Sequence, residues 1–171
     1  MAVTVILIGA GLVYPVIGSM NRTNGFRAHP NVDGLAVMEP ADPAQYEAIR
    51  WLQENVKGTP VILEAIGGDY TTLARVSART GLPTVLGWPE HEQRWRGSWE
   101  PQEGRREDVE RAYETTSPAE AEAILDKYGV EYVYIGELEH EVYGDQGMVK
   151  FAQLGHVAFQ NDYVTIYRIG G

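Results

Sequence analysis

Between positions 88 and 99 the chain gathers three of its four tryptophans, Trp88, Trp95 and Trp99, around His91, Glu92, Arg94 and Arg96. Aromatic faces beside guanidinium, imidazole and carboxylate groups can stack on a sugar ring or base while hydrogen-bonding its hydroxyls. The competing reading is a packed segment whose tryptophans cover the end of a sheet and whose Arg96 pairs with Glu92 or Glu64. A second polar segment, Glu64–Tyr70, contains the Gly67-Gly68 turn. A few residues on, helix periodicity sets Arg75 and Arg79 on one face. The candidate substrate-binding side chains are thus Glu64, Tyr70, Arg75, Trp88, His91, Glu92, Trp95 and Arg96. No catalytic residue can be singled out.

Other chemistries fit the sequence poorly. His91-Glu92 would begin a zinc-binding HExxH, but Trp95 stands where the second histidine belongs. Glu139-His140-Glu141 offers three ligand types, yet neighbours in a strand point to opposite faces. No Lys-Ser or Lys-Thr follows Gly67-Gly68, so a phosphate cradle there is weak. Cysteine is absent, which excludes disulfides, thiolate zinc sites and a cysteine nucleophile. No metal and no cofactor is expected.

Alternating elements must position these residues. Asp42, Pro43 and Gln45 form a helix start, and the following helix, reaching about Asn55, should bury Tyr46, Ile49, Leu52 and Val56. Residues 60–65 read as a strand, 72–80 as a helix closed by Gly81, and 83–86 as a second strand. Residues 87–103 read as a long loop. Helices are expected over 105–114 and from the Ser117–Glu120 capping box to Gly129. A third strand follows at 130–135, then a short helix near 147–153. A closing hairpin, 156–160 with 163–169, turns at Asn161-Asp162. The fold class is therefore α/β: three layers, with a small, mainly parallel sheet and a C-terminal antiparallel hairpin. In such sheets ligands gather beyond the carboxyl ends of the strands. That places the 64–70 and 87–99 segments on one edge, facing each other across a pocket in which His91 stays partly exposed.

An apolar helix of membrane type precedes this domain. No charged side chain occurs before Arg22. The run from Val3 to Met20 spans about 27 Å as a helix. A signal peptide would carry a basic start. A dinucleotide-binding turn would need glycine where Tyr14 stands, after Gly9 and Gly11. Residues 1–20 are accordingly expected to be the end of a transmembrane helix, 21–41 an irregular linker, and 42–171 the α/β domain.

The chain has 171 residues and a formal net charge of −10. That length fits one ordinary domain, and the charge argues against nucleic acid as a partner. Residues 100–145 hold fourteen acids and four bases, so this stretch carries the whole excess. Such runs usually form a solvated face.

Three stretches carry a family resemblance: Glu64-Ala65 with Gly68-Asp69-Tyr70, the run from Arg75 to Trp88, and His91 to Gly97. Asn21–Phe26, Asp33–Leu35, Ala48–Leu52 and Val164–Arg168 add to it. Together they resemble the YYY-domain family of polytopic membrane proteins, a domain of unknown function similar in layout to C-type glycosyltransferases. The resemblance implies that these residues are the C-terminal part of a longer membrane protein. Its partners would be the rest of that protein and a sugar or lipid-linked sugar. In C-type enzymes the catalytic acid lies between early membrane helices, so this chain alone is expected to lack the reaction centre.

The expected function is thus an extracytoplasmic domain of a membrane-embedded glycosyltransferase-like protein that helps bind sugar or acceptor. One alternative is an extracytoplasmic solute-binding or protein-interaction module without catalysis, using the acidic 100–145 face. Another is a free-standing hydrolase built on His91 and Glu92.

Overall fold

The computed structural model describes residues 2–27 and 33–170. Met1, residues 28–32 and Gly171 lie outside them, and with them the middle of the expected 21–41 linker. Two compact units divide the chain, Met1–Ala36 and Val37–Gly171.

In the first unit, α1 (Ala2–Arg22) is a continuous helix through Pro15 with none of its side chains buried. An 18-residue stretch of it has a mean hydropathy of 2.0, and the helix is long and apolar enough to cross a membrane.

The second unit is an α/β domain. Its elements are α2 (Pro43–Asn55), β1 (Val61–Leu63), α3 (Arg75–Thr80), α4 (Pro89–Arg96), α5 (Arg105–Glu114) and α6 (Pro118–Tyr128), followed by β2 (Val130–Ile135), α7 (Glu137–Tyr143), α8 (Phe151–Leu154), β3 (Gly155–Gln160) and β4 (Thr165–Ile169). Both helix starts written in the sequence form as capped ends. The Asp42 carboxylate accepts the Gln45 N–H at 3.0 Å, and the Ser117 hydroxyl accepts that of Glu120 at 3.3 Å. Each satisfies one of the N–H groups a helix start leaves unpaired.

The four-stranded sheet has the order β1-β2-β4-β3. It is mixed: β1 and β2 run parallel, with Ile62 opposite Tyr132, while β4 pairs antiparallel with both β2 and β3. The expected strand at 83–86 shrinks to a single parallel bridge, Ile62 with Thr84. Pro83 has no N–H to give, though its carbonyl accepts the Ile62 N–H at 2.8 Å.

Period-two alternation along β2 builds the layers. Val133 and Ile135 enter a core with Val109, Tyr113, Leu125 and Phe151, so α5, α6 and α8 cover that face. Tyr132 and Tyr134 therefore lie on the opposite face. α2 packs on that side, with Trp51 and Phe159 of β3 5.7 Å apart at their ring centroids.

Two expectations fail in ways that matter for the site. The long loop at 87–103 is largely α4 and a 3-10 turn at Glu100–Gln102. Pro89 opens α4 at the first helical position and Gly97 closes it with φ +73°, a conformation glycine adopts without a Cβ penalty. Residues 139–141, read as strand, belong to α7, which turns Glu139 completely inward.

Candidate functional site

The candidate residues separate into a buried ion-pair network and an exposed ring cluster. The network lies under the carboxyl ends of β1 and β2. Glu64 directly follows β1, and its two carboxylate oxygens accept the N–H groups of Val76 and Ser77 at 2.7 and 2.9 Å. Those N–H groups open α3, whose positive end favours a carboxylate. Burial nevertheless dominates and pushes the Glu64 carboxyl up to about 7.

Arg75 lies beside it, 3% exposed, and forms a forked pair with Glu139 at 2.7 and 3.3 Å. Its guanidinium also stands 4.9 Å from the centroid of the Tyr134 ring. Burial works against the Arg75 charge, but the Glu139 carboxylate overrides it and raises the pKa. Glu139 further accepts the N–H groups of Ala65 and Gly136, both at 2.9 Å. Space at Gly136 is tight, since a Cβ would lie 3.2 Å from an Arg75 nitrogen and 3.1 Å from the Tyr134 ring, and those side chains would have to give way.

The sequence placed Glu64 in the ligand pocket; the structure seals it beneath the surface with both oxygens engaged. Arg75 is likewise held inside. It forms part of the wall of a cleft of about 460 Å³ that Asp42, Thr72, Glu137 and Tyr163 also line. Glu139 was missed as a partner because a fully buried carboxylate breaks the expectation that charge stays outside. The available signal was Gly136 ahead of a helix-length segment ending at Gly144.

The ring cluster joins the other candidates. Tyr70 and Trp88 lie 5.0 Å apart at their centroids, and His91 meets both rings edge-on. Trp95 donates its indole N–H to His91 Nε2 at 2.9 Å, and His91 Nδ1 lies 3.0 Å from the Tyr70 hydroxyl. Since Nε2 accepts, the neutral ring carries its proton on Nδ1 and donates it to the Tyr70 oxygen. The Tyr70 hydroxyl proton is then left to point outward. Trp88 is anchored from behind through its indole N–H to the Leu73 carbonyl at 3.1 Å.

The loop that presents Tyr70 is strained. Tyr70 and Ala74 both have positive φ, 58° and 56°, which costs a residue with a Cβ roughly 1–2 kcal/mol. Trp95 is 80% and Tyr70 66% exposed, so their rings are available to a ligand. Glu92 and Arg96 flank the cluster. Glu92 accepts the Gly87 N–H at 3.0 Å and pairs with Arg96 at 3.3 Å, as one of the sequence alternatives had it. His91 thus lies between two aromatic partners, while Glu92 is engaged by Gly87 and Arg96.

No family model matches the chain, and no curated protein matches it. Among solved structures, the fold is similar to the C-terminal globular domain of an oligosaccharyltransferase from Archaeoglobus fulgidus. The two are 17% identical with a TM-score of 0.45, and the match covers 72% of this chain and 95% of the other.

Proposed function

We propose that this chain is the extracytoplasmic α/β domain of a membrane-embedded glycosyltransferase-like protein of the YYY-domain kind, and that it helps bind a sugar or acceptor. The observation that carries the proposal is the Tyr70–Trp88–His91–Trp95 cluster, in which a hydrogen-bond relay joins Tyr70 on a strained loop to the rings of α4. Strain in a surface loop with little burial to repay it is characteristic of sites that act on a ligand. Ring faces supply stacking, and the outward Tyr70 hydroxyl with Arg96 supplies hydrogen bonds. The exposed apolar surface of α1 supports attachment to a membrane, since an uncovered helix of that length would be unfavourable in water.

Titration of the detergent-solubilised chain with neutral and lipid-linked saccharides, followed by tryptophan fluorescence, tests this reading. Saturable quenching that disappears in Trp95→Ala is expected. Quenching retained in both Trp95→Ala and Trp88→Phe would refute binding at the cluster.

A second reading has its own observation. The cleft bordered by Asp42, Thr72, Arg75 and Glu137 opens beyond the carboxyl ends of β1 and β2, where open α/β sheets receive small ligands. A solute-binding module would use that cleft, and its ligand would leave the ring cluster undisturbed.

A further inference from the structure

We propose that residues 68–73 form a two-position strap, closed in this structure, which delivers Tyr70 to the rings of α4 and which Asp69 biases toward opening. The inference deepens the ring-cluster reading by naming what controls assembly of that site. It rests on that reading only where ligand binding is concerned.

The closed position works against itself in two places. Asp69 lies within the strap, and both its carboxyl oxygens are sealed from water with no hydrogen-bond partner among the described residues. Such a carboxylate has lost its hydration with nothing to replace it, whereas buried charges are ordinarily paired. No ligand can reach the sealed oxygens in this position, so the group acts on the strap's own equilibrium and not as a contact. Tyr70 beside it and Ala74 at the far end hold φ at 58° and 56°, the left-handed region that a Cβ disfavours.

The attachments that hold the strap closed are few and local. The Trp88 indole N–H donates to the Leu73 carbonyl at 3.1 Å, and the Tyr70 hydroxyl lies 3.0 Å from His91 Nδ1. The Thr71 N–H donates to the Gly68 carbonyl at 3.4 Å and that of Ala74 to the Ala65 carbonyl at 3.1 Å. Leu73 lies so close against Gly67 that a Cβ on residue 67 would overlap it. Opening hydrates Asp69, frees both strained residues and exchanges these few bonds for water. Opposed contributions of that kind give a local element two accessible positions. Thr72, from the same strap, lines the cleft beside Arg75, so one movement reshapes both candidate sites.

The test is amide hydrogen exchange of the full chain in detergent micelles, followed residue by residue by NMR. The Thr71 and Ala74 amides report the strap, while those of Val76 and Ser77, which donate to Glu64, report the domain beneath it. Asp69→Asn keeps the shape and removes the charge, so exchange at Thr71 and Ala74 should slow about tenfold with Val76 and Ser77 unchanged. Gly67→Ala should act in the opposite sense, displacing Leu73 and speeding the strap amides about tenfold. Should Asp69→Asn fail to fold, Asp69→Ala, which removes both oxygens, should slow exchange in the same way. Strap exchange unchanged or faster in the Asp69 variants would overturn the proposal, and so would failure of both to fold, since the carboxylate would then be stabilising. Strap amides that follow Val76 and Ser77 in every variant would also overturn it, because the domain would be opening as a whole. Maltose, cellobiose, mannobiose and diacetylchitobiose provide a separate arm on the unmodified chain. Slower exchange at Thr71 and Ala74 with one of them supports closure of the strap on a ligand. No slowing with any of them, while the Asp69 response holds, counts against the ring-cluster reading and leaves the strap standing.

Discussion

Arg75 and Glu139, sixty-four residues apart, meet in a forked ion pair that is almost completely buried. The pair joins the start of α3 to α7 beneath the carboxyl ends of the parallel strands. The two Glu139 oxygens also hold the backbone at Ala65 and Gly136, so one carboxylate sets the shape of two loops. One of those loops leads through Gly67 and Gly68 to Tyr70. A Cβ on Gly67 would fall 1.9 Å from the Leu73 side chain, which keeps the chain there in one close-packed path.

Removing either partner should therefore strand the other's charge. Arg75→Met and Glu139→Gln are each expected to cost about 3–5 kcal/mol, read as thermal unfolding by near-ultraviolet circular dichroism. The double variant should lose less than the sum of the singles, because neither charge remains unpaired. Additive losses would show that the pair contributes no coupling.

Glu64 should make stability depend on pH in an unusual direction. Its carboxyl rises from 4.5 to about 7 on folding, chiefly by burial. The folded state then binds this proton more tightly, so the contribution is complete below 4.5 and lost as pH rises through 7. At 1.36 kcal/mol per pKa unit the full change is about 3 kcal/mol. The difference in unfolding free energy between the unmodified chain and Glu64→Gln should shrink by that order from acid to neutral pH. A difference that stays flat would mean that folding leaves the affinity of this carboxyl for its proton unchanged, the α3 N–H groups offsetting burial.

Lys150 offers an independent check on buried charge. It is 3% exposed, donates to the carbonyls of Tyr113 and Gly147, and lies 4.2 Å from the centroid of the Phe151 ring. Lys150→Met leaves those two buried carbonyls unsatisfied and should cost about 1–3 kcal/mol in urea unfolding. Burial lowers the Lys150 pKa from 10.5 to about 8. A group lowered in this way binds its proton less tightly when folded, so the unmodified chain should gain stability between pH 8 and 10.5 relative to Lys150→Met.

The membrane side can be read chemically, because the chain has no native cysteine. Glu122→Cys places one thiol on the exposed face of α6. In intact cells a membrane-impermeant maleimide should label it without permeabilisation if the domain is extracytoplasmic. Labelling only after permeabilisation would reverse the assignment.

Legibility of the fold followed the locality of its signals. Asp42 with Gln45 and Ser117 with Glu120 are contacts three residues apart, and both helix starts could be read directly. The Arg75–Glu139 pair depends on a crossover that no local pattern encodes. α4 was hidden for another reason: its Trp, Arg and Glu residues resemble a polar loop, while Pro89 and Gly97 carried the helix signal. The candidate rings drew notice in the sequence by their density between positions 88 and 99, and the sheet-edge argument set the segment ending at Tyr70 beside them, although the turns of α4 that space His91 and Trp95 were not read.

Tyr70 separates scaffold from site most cleanly. Its φ of 58° disfavours any side chain, so Tyr70→Gly should relieve roughly 1–2 kcal/mol of strain. The same change removes the contact with the Trp88 ring, worth about 0.5–1.5 kcal/mol beyond the area it buries. These terms oppose one another, and the melting temperature should stay nearly constant. Saccharide binding at the cluster should disappear, because both the ring and the outward hydroxyl are gone. Tyr70→Phe keeps the ring and the strain but breaks the link to His91 Nδ1, so it should weaken affinity about tenfold without removing the stacked surface. A purely structural Tyr70 predicts the reverse pattern, with stability falling in Tyr70→Gly and ligand binding indifferent to Tyr70→Phe.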